Sequence, residues 1–84
     1  MNARQSRTLA ALFRLPTPAN IEWADVEALL IGLGCTIVEG NGSRVRFVKD
    51  KMVETFHRPH PAKEAKRYQV RAARDYLIRL GVTS

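Results

Sequence analysis

A single cysteine, Cys35, occurs among the 84 residues, which rules out an intramolecular disulfide and any Cys-rich zinc site. A reducing compartment fits. No segment approaches the roughly 20 apolar residues of a membrane span. The first fifteen residues carry Arg4, Arg7 and Arg14 and lack an apolar run of signal-peptide length. The expectation is a soluble, cytoplasmic protein with no membrane partner. GxxxxGK[ST], a GxGxxG after a strand and HExxH are also missing, so nucleotide-binding and zinc-protease readings lack their minimum parts.

What is present is enough for one core. A chain of this size buries a single core and does not divide into two. Its 45% hydrophobic and 26% charged residues fall in the globular range. Lys and Arg number 14 against 8 Asp and Glu, giving +6 and a pI of about 10.3, which favours a polyanionic partner. The charge is unevenly spread. Residues 1–14 hold three arginines and no acid, and residues 15–40 hold Glu22, Asp25, Glu27 and Glu39 and no base. Residues 41–84 hold eleven bases against Asp50, Glu54, Glu64 and Asp75.

Leu9, Leu12 and Phe13 predict a short helix over Asn2–Arg14 that packs lightly or frays, followed by the stiff connector Pro16-Thr17-Pro18. Val26, Leu29, Leu30 and Leu33 predict a helix over Trp23–Leu33 that Gly34 stops. Three runs have strand character, Cys35–Glu39, Arg44–Lys49 and Met52–His57. The two residues Asp50-Lys51 set a tight hairpin in which Arg44 faces His57 and Arg46 faces Thr55. Alternation turns Val45, Phe47, Met52 and Phe56 inward and leaves Arg44, Arg46, Thr55 and His57 on the other face. Glu54 also falls inward, so it must lie at an edge or the register fails. Arg58-Pro59-His60-Pro61 reads as a rigid extended loop, and a last helix runs from near Gln69 to Leu80, with Arg67, Arg71 and Arg74 on one side.

His57 and His60, three apart in a Pro-rich extended segment, do not share a face as metal ligands of that spacing do, so neither metal nor cofactor is expected. Ser43 in a Gly-rich turn is too common a feature to count as a hydrolase nucleophile. The group Arg44, Arg46, Thr55, His57, Arg58 and His60 has a bland reading as solvated sheet surface. It also supplies what metal-free phosphodiester cleavage requires, an acid–base group near neutral pH and cations for the phosphate.

Gly42-Ser43 opens the second strand, Pro59-His60 follows the third, and Lys63-Glu64-Ala65-Lys66 precedes a final helix ending Leu80-Gly81-Val82. In this order and spacing the chain resembles the HicA toxins over about residues 22–82. The resemblance implies an α+β fold like a double-stranded-RNA-binding domain, a three-stranded antiparallel sheet with two helices on one face. Residues 19–84 form that domain, and residues 1–18 a helical extension with its Pro linker. It further implies an endoribonuclease that cleaves mRNA and inhibits translation, neutralised by a HicB-type antitoxin.

The family's catalytic histidine directly follows its Gly-Ser, and Arg44 stands at that position here. His60 matches the histidine of the Pro-His step. The expected catalytic pair is His57, opposite Arg44 on the hairpin, with Arg44 itself. The expected RNA contacts are Arg46, Arg58, His60, Lys63, Lys66, Arg67 and Arg71. Val48 and Val53 share the sheet face with the arginines, which suits an acidic protein partner. An alternative keeps the fold without catalysis, as an RNA-binding module or a degenerate toxin that only binds its antitoxin. A DNA-binding helix-turn-helix is disfavoured because three strands separate the helices.

Overall fold

The computed structural model describes residues 1–84. Helices α1 (Ala3–Leu12) and α2 (Trp23–Gly32) precede strands β1 (Thr36–Glu39), β2 (Arg44–Lys49) and β3 (Met52–His57), and helix α3 (Arg67–Arg79) closes the chain. The strands form one antiparallel sheet in the order β1-β2-β3. Val45, Phe47 and Phe56 project from one face into a single core with Trp23, Val26, Leu29 and Leu30 of α2 and Val70, Ala73, Tyr76 and Leu77 of α3. This is the expected α+β architecture, with both helices on one face and the opposite face uncovered.

The β2–β3 register agrees with the alternation, pairing Arg44 with His57, Arg46 with Thr55 and Phe47 with Glu54. Asp50 and Lys51 both take positive φ, 52° and 66°, as a two-residue type I′ turn demands. Asp50 tolerates that region, but Lys51 stands where glycine is usual, so the hairpin forms against the preference of its second turn residue. Glu54 faces inward at the edge strand, where Arg79 of α3 reaches it with an ion pair. Edge position and a cation together resolve its placement.

Two features differ from expectation. Helix α1 does not pack lightly. Leu9 and Leu12 join the core, Leu12 with no exposed surface, and Gln5 Nε2 donates to Ala28 O at 3.0 Å. Arg74 Nε of α3 donates to Leu12 O at 2.7 Å. The helix rests on α2 and α3 rather than on the sheet, so only two turns of apolar pattern were needed to anchor it. Asn2 and Gln5 cap its start reciprocally.

Helix α3 begins at Arg67, two residues before Gln69. Gln69 Oε1 accepts from Lys66 N at 2.9 Å, closing the first turn from inside. The Tyr76 hydroxyl lies 3.2 Å from Phe47 O and 3.1 Å from Met52 O, which fastens α3 to the hairpin. Burial pushes that hydroxyl up to about 12. No helix is long and apolar enough to cross a membrane.

Candidate nucleic-acid interface

The open face of the sheet gathers part of the expected site. Because a two-residue turn makes Lys49 and Met52 the first hydrogen-bonded pair, alternation makes Arg44 and His57 a non-hydrogen-bonded pair. The bond from Arg58 N to Ser43 O, at 2.9 Å just beyond them, fits that pattern. Such pairs bring side chains closest, with Cα atoms about 4.5 Å apart. Both residues are exposed. Arg46 and Thr55 form the next pair along this face, and Val38 of β1 completes their row. Arg44, Arg46 and Thr55 line an open depression of about 400 Å³ together with Gly40 and Asn41 of the β1–β2 turn.

Ser43 Oγ lies 3.4 Å from His57 Nδ1. From the helix side, buried Gln69 donates Nε2 to His57 O at 2.6 Å. The imidazole is therefore approached through its ring by Ser43 and held through its backbone by Gln69. Neither partner was among the expected site residues. Ser43 had only its position in the turn to mark it. Gln69 had a stronger signal, since a glutamine three residues after a helix boundary is a capping residue.

The segment after β3 crosses to the helix layer. Trp23 N donates to Lys63 O at 2.8 Å and Ala65 N to Ile21 O at 2.7 Å, with Glu22 and Glu64 bridged between them. Residues 63–65 are thus stitched to the entry of α2, which holds exposed His60 and Lys63 beside it. Lys63 Nζ stands 3.9 Å from Glu22 Oε1, and Lys66 is exposed at the start of α3.

Other expected phosphate contacts have competing partners. Arg58 turns to the helix side, where Nε and Nη2 reach Glu27 at 2.7 and 3.4 Å and Nη1 and Nη2 reach Glu39 at 2.7 and 3.0 Å. Its hydrogen bonds hold the Glu39 carboxyl below the usual range and raise the guanidinium further above its own. Glu27 also accepts from Trp23 Nε1. This network ties α2, β1 and the loop after β3 together, and Arg58 is matched by two carboxylates. Arg67 Nε donates to Thr17 O at 3.2 Å, fastening the Pro linker. Arg71 has no ion pair and is exposed.

No group of three or more His, Cys, Asp and Glu side chains comes together. A three-stranded antiparallel sheet with two helices behind it and cations on its open face defines a small α+β domain of the double-stranded-RNA-binding-domain type. The family described as HicA toxin of bacterial toxin-antitoxin matches residues 23–82. The chain belongs to this family and is a toxin of a toxin-antitoxin system. No curated protein and no solved structure matches it. The family match starts at the first residue of α2 and leaves α1 and the Pro linker outside.

Proposed function

We propose that the protein is a metal-independent endoribonuclease that cleaves mRNA, with His57 as general base and Arg44 and Arg46 as the phosphate clamp. The observation that carries this reading is the direct opposition of Arg44 and His57 on the open face. The family's histidine position is occupied by arginine, and an imidazole stands at the cross-strand neighbour. A swap across one ladder rung keeps both side chains on the same patch.

When the Nδ1 proton is donated to Ser43 Oγ, His57 Nε2 keeps its lone pair and can take the proton of a ribose 2′-hydroxyl. The 2′-oxygen attacks the adjacent phosphorus, the bond to the 5′-oxygen breaks, and that oxygen takes a proton from solvent, leaving a 2′,3′-cyclic phosphate. Arg44 and Arg46 hold the non-bridging oxygens as charge develops. Need for the 2′-hydroxyl restricts cleavage to RNA. His60 and Lys63 contact phosphates along the strand, and Lys66 and Arg71 extend the field.

The same face suits a HicB-type antitoxin. Val53, 46% exposed, and Val48 opposite it supply an apolar strip beside Arg46, and an acidic partner laid there excludes RNA. Replacing Arg44 and Arg46 by Glu weakens both antitoxin binding and RNA cleavage; loss of neither would refute a shared surface.

Labelled mRNA incubated with purified protein in EDTA tests the catalytic reading. Cleavage by the unaltered protein and its loss in His57→Ala, with an unchanged melting temperature, support it. RNA that is shifted but uncut instead selects the binding-only reading, which the arginine at the family's histidine position favours. Full activity in His57→Ala removes His57 from the mechanism.

A further inference from the structure

The arginines of the N-terminal segment belong to neither the sheet-face site nor the core, and the fold places them on the helix layer behind the sheet. Arg4, Arg7 and Arg14 line an open groove of about 380 Å³ between α1 and the entry of α2. Arg4 is paired with Asp25, and Glu22, also in the groove, has Lys63 beside it. Arg7 and Arg14 are exposed and have neither an ion pair nor a side-chain hydrogen bond. Each acid in the groove therefore has a cation near it, and two guanidiniums remain free.

Three contacts place the entry of α2, and with it the groove's wall, beside the C-terminal end of edge strand β3 on the helix side of the sheet, behind the face that carries Arg44 and His57. Trp23, at the first turn of α2, packs on Phe56 with ring centroids 5.1 Å apart. Arg58 joins Glu27 of α2. The ladder of residues 21–23 with 63–65 joins the groove's wall to the loop that leaves β3. Exposed His60 and Lys63 lie on that loop, between the sheet corner and the groove. Lys63, 3.9 Å from the groove's Glu22, links the 58–63 loop that follows His57 to the groove that holds Arg14 and Arg7. The groove's surface is mostly polar, with Ala11 and Ile21 as its apolar members, which fits a hydrated polyanion better than an apolar side chain.

We infer that α1 and the residues just after it form a second phosphate-binding element, in which Arg7 and Arg14 hold the backbone of single-stranded RNA that has passed around the edge of β3 from the sheet face and along the 58–63 loop. The inference rests on the RNA-cleaving or RNA-binding reading of the sheet face and adds a contact lying outside the family-matched residues. Anchoring of α1 makes it possible. With Leu12 fully buried and Gln5 and Arg74 bonded across the helices, the two arginines are presented from a fixed helix and its first following residues.

The test compares the unaltered protein with Arg7→Ala/Arg14→Ala, using unstructured RNAs of about 4 and about 16 nucleotides, the range over which small single-strand-binding folds track a backbone. Affinities are read by fluorescence anisotropy over a series of salt concentrations, with RNAs whose 2′-hydroxyls are methylated so that neither protein can cleave them. Two lost phosphate contacts lower the slope of log affinity against log salt by about 1.4 for the longer RNA. Affinity for it falls about tenfold near 0.1 M salt, while the 4-nucleotide RNA is bound as before. Equal loss for both lengths, or no change in slope, overturns the inference while leaving RNA binding by the sheet face standing. No binding of either RNA by the unaltered protein overturns both. Intact RNA binding with weakened antitoxin capture by the variant overturns it in favour of a protein contact. The melting temperature, expected unchanged because both side chains are exposed and alanine favours helix at position 7, shows that α1 stays docked.

Discussion

Arg44 and His57 occupy one rung of the β2–β3 ladder and face the same side of the sheet. Exchanging them should therefore preserve the local chemistry. His57→Arg alone is expected to reduce RNA cleavage by about 10²–10⁴-fold, the scale of a lost general base. Adding Arg44→His should restore activity to within about tenfold of the unaltered protein. A double variant as inactive as the single one would show that the two positions are not equivalent. Initial rates on one labelled mRNA suffice.

Gln69 joins the backbone of His57 to the start of α3 through two hydrogen bonds and is 2% exposed. Gln69→Ala strands a carbonyl and an amide and should cost about 1–3 kcal/mol in denaturant unfolding. Cleavage measured well below the melting temperature should also fall, with RNA affinity retained, because the imidazole loses its backbone support.

Arg58 predicts a pH effect. Its hydrogen bonds lower the Glu39 pKa from an ordinary value of 4.5. A carboxyl lowered in the folded state stabilises the protein above its unfolded pKa, and that contribution is lost as pH falls through the folded value. Arg58→Ala should therefore melt lower than the unaltered protein at neutral pH. The gap should narrow below about pH 4 as Glu39 protonates. A gap independent of pH would assign the loss to packing of the Arg58 stem.

Helix α1 is the remaining structural prediction. Leu12→Ala should destabilise the whole domain by about 2–5 kcal/mol in one cooperative transition, as a core truncation does. Calorimetry showing a separate low-temperature transition for α1, with the main one unmoved, would contradict its membership of the core.

How far the chain's own chemistry reveals these features depends on their range. Period-two alternation and a two-residue turn yield the full β2–β3 register and hence the Arg44–His57 rung, because both are local. The i, i+3, i+4 pattern of Val26, Leu29, Leu30 and Leu33 likewise yields α2. Glu54 appears as a conflict until Arg79, 25 residues later, is seen to meet it. Arg58 looks like one more cation in a basic loop, and only the fold brings Glu27 and Glu39, 31 and 19 residues away, onto it. For α1, the pattern discloses an amphipathic helix but not the groove between α2 and α3 that receives it. Asp50-Lys51 is the reverse case: spacing alone required a turn, and the backbone takes left-handed φ at Asp50, which tolerates it, and at Lys51, which is unsuited to it.

The uncovered sheet face has a further consequence for how such a toxin can change over generations. Val45, Phe47 and Phe56 secure the fold from the opposite side, so Arg44, Arg46, Thr55 and His57 carry little of the folding free energy. Substitutions among them are nearly neutral for stability. Side chains on this face can thus be exchanged between neighbouring strands without loss of the fold. An arginine and a histidine facing each other across a single rung, as Arg44 and His57 do, could exchange places without disturbing the scaffold beneath them.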